Sequence, residues 1–156
     1  MASPLDATDR RIVDALARDG RMSMRALAQL LHISRANAYA RVERLLSTGA
    51  IRGFRAEVDP AAVGMATSAY VTLKLRQPDW RDVRARLAAI SGIVHIALVA
   101  GDFDVIALVR AHDNADLRRI VLDEIQGMPG VLSTRTLLVF EESTADQPWS
   151  EPPPAP

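Results

Sequence analysis

Ser34, Arg35, Asn37, Arg41 and Arg44 fall within one short stretch, I-S-R-A-N-A-Y-A-R-V-E-R-L at 33–45. At helical spacing Ala38, Val42 and Leu45 form an inward stripe, and the five polar residues then project toward solvent. Arginine forks and asparagine amides form paired hydrogen bonds with guanine and adenine edges, while serine and arginine suit phosphate oxygens. Arg35 and Asn37, near the helix start, are candidates for base edges; Arg41 and Arg44, one and two turns later, for the sugar-phosphate backbone. The plainer alternative is the solvated face of a three-helix bundle.

A second group is A-G-D-F-D at 100–104. Gly101 can take a positive φ and bring backbone N–H groups close to an anion, and Asp102 or Asp104 could meet an ammonium group. A ligand carrying both charges, such as an amino acid, would satisfy both, and a hairpin turn with two solvated acids is the simpler reading. His32, His95 and His112 have no metal-ligand spacing, and the chain has no cysteine. No Ser-His-Asp order, phosphate loop or paired acids stand out. The expectation is no catalytic residue, no metal and no enzyme.

These groups need elements to hold them. Asp6, Ser23 and Ser34 read as N-caps of three successive helices, with Ile12, Val13 and Leu16, then Leu27, Leu30 and Leu31, then Ala38, Val42 and Leu45 turned inward. The second and third helices, with few residues between them, have the layout of a helix-turn-helix, whose second helix lies in the DNA major groove. Ile51 to Val58 reads as an extended linking segment, interrupted at Asp59-Pro60.

Beyond it the rhythm changes. A strand is expected at 69–76, a helix at Asp79 to Ile90, strands at 93–100 and 103–110, a helix at 114–126 and a strand at 131–141. This β-α-β-β-α-β order, with I-S-G-I-V echoed by M-P-G-V-L, predicts a ferredoxin-like sheet with both helices on one face. The first hairpin strand is apolar on both sides, Ile93, Ala97 and Val99 opposing Val94, Ile96 and Leu98, so the open face needs cover and a homodimer is expected.

The fold class is thus α+β in four parts: residues 1–50 as a helix-turn-helix, 51–66 as linking strand or hinge, 67–142 as the second domain, and 143–156 as a disordered proline-rich tail in which Trp149 is the one aromatic. Formal net charge is zero, yet residues 1–58 carry ten Arg against six acids and the remainder nine basic residues against thirteen acids. A basic module joined to an acidic one suits a nucleic-acid partner for the first half only. The N-terminus lacks the basic and apolar regions of a signal peptide and no apolar run has membrane-spanning length, so a cytoplasmic, nucleoid-associated protein is expected.

The segments together resemble the Lrp/AsnC family of transcriptional regulators from about Leu5 to Glu142. The carriers are L-D-A-T-D-R-R-I-V at 5–13, D-G-R-M-S at 19–23, L-A-Q-L-L-H-I-S at 27–34, R-V-E-R-L at 41–45 and G-A-I-R-G-F-R-A-E-V-D-P at 49–60. V-A-G-D-F-D at 99–104, M-P-G-V at 128–131 and T-R-T-L-L-V-F-E-E at 134–142 continue the series. The resemblance implies a plain or winged helix-turn-helix, a linking strand and a ferredoxin-like RAM domain that dimerises and assembles further into tetramers or octamers. It implies an amino acid or related small-molecule effector held between dimers, with Gly101, Asp102 and Asp104 at its site and Thr134 and Thr136, matching a T-x-T pattern, lining the same cleft. No other cofactor is implied. Many members have threonine before the turn where this chain has Ala100. Two alternatives stand beside a regulator: an architectural DNA-compacting protein and a metabolite-binding regulatory subunit of an enzyme.

Overall fold

The computed structural model describes residues 5–76 and 80–143, which form two compact units, one ending at Glu57 and the other spanning Val58–Ser143. Asp79, where a helix was expected to begin, and the tail with Trp149 lie outside the described residues.

In the first unit, α1 spans Ala7–Arg18, α2 Met24–Leu31 and α3 Arg35–Ser47. Each starts at a side-chain oxygen that satisfies a backbone N–H left over in the first turn. Asp6 accepts from the Asp9 amide at 2.7 Å while the Asp9 carboxylate accepts from the Asp6 amide at 3.3 Å, a reciprocal capping box. Ser23 and Ser34 cap α2 and α3 through the amides of Ala26 and Asn37, each at 3.1 Å. His32 closes α2 in the left-handed conformation, φ 56°, and its amide bonds back into the helix. Its place is therefore structural.

Ile12, Ala15, Leu16, Leu27, Leu31, Val42 and Leu45 make the core of this unit, with Val13 partly buried against it. Leu30, expected inside, is 52% exposed. At about 100° per residue it lies well off the face that Leu27, Ala28 and Leu31 bury. No strand forms in residues 51–58, so the expected linking strand has no ladder partner among the described residues and no wing is built there.

The second unit is a four-stranded antiparallel sheet in the order β2-β3-β1-β4, where β1 is Thr67–Leu75, β2 Ile93–Leu98, β3 Val105–Ala111 and β4 Val131–Leu138. Helix α4 (Trp80–Ala89) and α5 (Asn114–Arg119, continuing as a wider π-helical turn at Ile120–Ile125) bury Val83, Leu87, Leu117, Ile120, Val121 and Ile125. These pack on Ala69, Val71, Leu73 and Leu75 of β1 and Val105, Val109 and Ala111 of β3. Period-two alternation sends Ser68, Tyr70, Thr72 and Lys74, with Ile106, Leu108 and Arg110, to the opposite face, which carries no helix. The topology is the expected ferredoxin-like one.

Two local departures have clear causes. The second helix was expected to run unbroken to Gln126, but the Gln126 amide reaches the Val121 carbonyl at 2.9 Å, five residues back. At the ordinary helical pitch Glu124 would sit between Ile120 and Val121 on the buried face. The extra residue per turn rotates it out to pair with Arg119. In β2 the register against β3 shifts between Ile93 and His95, a bulge at Val94. Strict alternation therefore fails: Ile93 and Ile96 both pack toward the core, and Val94 is left exposed.

Gly92, at φ 93°, begins this hairpin so close to β3 that an added Cβ would meet the Arg110 carbonyl oxygen at 2.4 Å. Gly101, at φ 135°, has open space around it. Alanine at Gly101 should cost about 1–3 kcal/mol of backbone strain alone. At Gly92 the same strain is joined by a backbone clash, so urea unfolding should show the larger loss for Gly92→Ala.

Candidate nucleic-acid interface and effector site

The outer face of α3 begins with the Ser34 cap, followed by exposed Arg35, Asn37 and Tyr39. The Arg35 guanidinium lies over the Tyr39 ring, 5.7 Å from its centroid. That contact spans one helical turn and restrains both side chains. Tyr39 escaped the sequence reading; its signal was the i, i+4 spacing from Arg35 together with an aromatic off the buried stripe.

Arg41 and Arg44 are placed otherwise than the sequence suggested. Both reach back to α1. Arg41 Nη1 donates to Asp6 at 2.6 Å and to Asp9 at 2.8 Å, and Arg44 Nη2 donates to the other Asp9 oxygen at 2.5 Å. Asp9 is 2% exposed, and a carboxylate so buried must be compensated. Arg41 also donates from Nε to Asn37 Oδ1 at 3.1 Å. The arginine expected at the DNA backbone thus braces a residue expected at a base edge. The missed partner is Asp9, whose capping-box position was readable but whose meeting with residues 32 and 35 positions later was not.

Hydrogen bonding from Arg41 holds the exposed Asp6 carboxyl below its ordinary value near 3.8, and Asp6 in turn raises Arg41. In the second unit Arg119 does the same for Asp116.

The A-G-D-F-D segment connects β2 to β3. Asp104 Oδ2 accepts from the Leu75 amide at 2.7 Å, and Oδ1 faces Lys74 Nζ at 3.5 Å, so this carboxylate ties the turn to β1. Asp102 and Thr134 line one concavity of about 330 Å³ with Thr72, Lys74, Phe103, Ser133 and Arg135. Asp102 and Arg135 are both exposed there, opposite charges with no ion-pair partner among the described residues. Thr136 is not in that concavity. It lines a separate one of about 350 Å³ with Asn114, Leu117, Arg118, Val121, Leu122 and Leu138. Lys74 and Arg135 were not readable from the sequence as site residues, because only the β1–β4 register, Lys74 against Ser133 and Thr72 against Arg135, brings them to the turn.

Comparison with known proteins agrees with both units. Residues 5–46 match the AsnC-type helix-turn-helix domain and residues 68–149 the Lrp/AsnC ligand-binding domain. The chain belongs to the Lrp/AsnC family: it is a DNA-binding transcriptional regulator with a ligand-binding domain, and not an enzyme.

It is 35% identical to the HTH-type transcriptional regulator AldR of Mycolicibacterium smegmatis over 94% of this chain and 88% of that protein. The crystal structure of the Mycobacterium tuberculosis leucine response regulatory protein LrpA superposes with a TM-score of 0.81 at 33% identity, covering 92% of this chain and 97% of that one. A Neisseria meningitidis transcriptional regulator, solved as its L-Met complex, shares the fold with a TM-score of 0.84 at 22% identity over 91% of this chain and 94% of that one. Among the described residues no helix is long and apolar enough to cross a membrane.

A depressed carboxyl contributes stability that is complete above its unfolded value and is lost as pH falls through the folded one. Wild type should therefore exceed Asp6→Asn in melting temperature by a constant margin at pH 5 and above. That margin should shrink as pH drops below the ordinary aspartate value near 3.8. Melting curves at stepped pH check it.

Proposed function

We propose that this regulator is sequence-specific and reads the major groove with the first turns of α3, and that an amino acid held at the A-G-D-F-D turn modulates its binding. Arg35 and Asn37 reach base edges, the N-terminal end of α3 at Ser34 meets a phosphate, and Tyr39 stacks under Arg35 to aim it. One observation carries this reading: the exposed donors of α3 with no acidic partner among the described residues, Arg35 and Asn37, lie at its capped N-terminal end, where a recognition helix contacts bases. Each good bidentate pair contributes about 1–3 kcal/mol of discrimination between bases.

The effector assignment rests on the unpaired Asp102 and Arg135 on one concavity with the Thr134 and Ser133 hydroxyls. A zwitterionic amino acid would set its ammonium at Asp102 and its carboxylate at Arg135, with Gly101 leaving room at the rim. The L-Met complex of the Neisseria relative supports an amino acid as the class. Asp104 serves this site by holding the turn, and Thr136 belongs to the strand beside it.

The protein works as a homodimer, joined through the helix-free sheet face where Tyr70, Ile106 and Leu137 lack a second layer, and dimers assemble into tetramers or octamers. The effector acts only as far as it binds one assembly more tightly than another. Such a protein resides in the cytoplasm, associated with the nucleoid.

The test is binding to DNA upstream of the protein's own gene against a shuffled duplex, with and without each amino acid. Arg35→Ala and Asn37→Ala should each reduce the preference for the upstream fragment by roughly 5- to 150-fold. Asp102→Asn and Arg135→Ala should abolish the amino-acid response and keep DNA binding. Equal affinity of the wild type for both duplexes would sink the sequence-specific reading in favour of an architectural one.

A further inference from the structure

We infer that Asp9, a residue of α1 that faces no groove, sets how selectively α3 reads DNA by withholding Arg41 and Arg44 from phosphate. The inference rests on the reading of α3 above. It starts from the burial of Asp9, whose two carboxylate oxygens are each taken by an arginine of α3, at 2.8 and 2.5 Å. Charge-assisted bonds of this kind are among the strong ones, and stripping one partner from a buried carboxylate is costly. If either arginine turned to a phosphate, one oxygen of the buried Asp9 would lose its cation.

The charges cancel locally. Asp6 and Asp9 face Arg41 and Arg44, two against two, so the middle of α3 offers DNA no net charge despite its arginines. Phosphate contacts of that kind add affinity without sequence information. Neutralising them lowers binding to any duplex and leaves the base contacts of Arg35 and Asn37 as the larger share. The same network also positions: Asp9 fixes Arg41, and Arg41 Nε holds Asn37 Oδ1, so one amide oxygen lone pair is already used and the amide plane is set before DNA arrives. Asp9 is thus a positioning residue acting through Arg41, and Arg44 is a second cation held in reserve.

The salt dependence of binding separates this from a purely structural role. On the shuffled duplex, the slope of log affinity against log salt steepens by about 0.9 for every additional phosphate that the protein neutralises. In Asp9→Asn the slope should steepen by one to two such steps per head, with tighter binding to shuffled DNA and a smaller preference for the upstream fragment. Arg44→Gln, in an otherwise native chain, should leave the slope unchanged, because that charge is already neutralised. An Asp9→Asn protein that melts cooperatively yet keeps the wild-type slope and preference overturns the inference, and so does a shallower slope in Arg44→Gln. Should Asp9→Asn fail to fold, Arg44→Gln together with Asp6→Asn, which frees part of Arg41, decides by the same slopes. Asn37→Ala distinguishes the two layers. If it keeps full discrimination, the base-reading assignment of Asn37 fails while the slope still decides Asp9. If it loses discrimination while Asp9→Asn changes nothing, the reading stands and the role of Asp9 falls.

Discussion

A single buried carboxylate organises the DNA-binding unit. Asp9 closes the capping box of α1 with Asp6 and accepts from two arginines of α3, so one residue both starts the first helix and anchors the third. Apolar contacts among Ile12, Leu16, Leu27, Val42 and Leu45 bring the helices together, but such contacts are non-directional and tolerate sliding. Paired charges at fixed distances do not, and they define which turn of α3 faces outward. The exposed cluster of Arg35, Asn37 and Tyr39 follows from that choice.

In the second unit the corresponding constraint is strand parity. Helices α4 and α5 cover only the face carrying Ala69, Val71 and Leu73, and every residue between them turns to the other side. The A-G-D-F-D turn is bound into this sheet through Asp104 and the Leu75 amide, so its neighbours are decided by register. Position along β4 separates Thr134 from Thr136, which share the face of Leu73 and Val71. Both sit on one strand, two residues apart, yet one reaches the concavity at the turn and the other the surface beside α5.

Much of this was legible in the chain itself. The caps at Asp6, Ser23 and Ser34 and the order of strands and helices rest on local patterns, each set by residues within a few positions of one another. Misreadings arose where a long-range partner overrode the local pattern. Alternation in β2 failed because the bulge at Val94 re-phased the strand to bury both Ile93 and Ile96. Helical continuity to Gln126 failed because Glu124 had to leave the buried face. Leu30 followed the apolar spacing, but α2 packs through Leu27, Ala28 and Leu31.

By itself the sequence determined the family, the element order and the residue types available for reading DNA and holding a charged ligand, because periodicity, caps and motif order are properties of the chain. Tertiary structure alone decided which of those residues are free to act. Arg35 and Arg41 border the buried stripe of α3 on opposite sides, but only Arg41 lies within reach of Asp9, 32 positions away. Asp102 and Asp104 share one turn, but the Leu75 amide and Lys74 engage Asp104 and leave Asp102 open. The physical reason is the same in both cases: a charge is committed or available according to its nearest opposite group in space, and chain distance does not predict it.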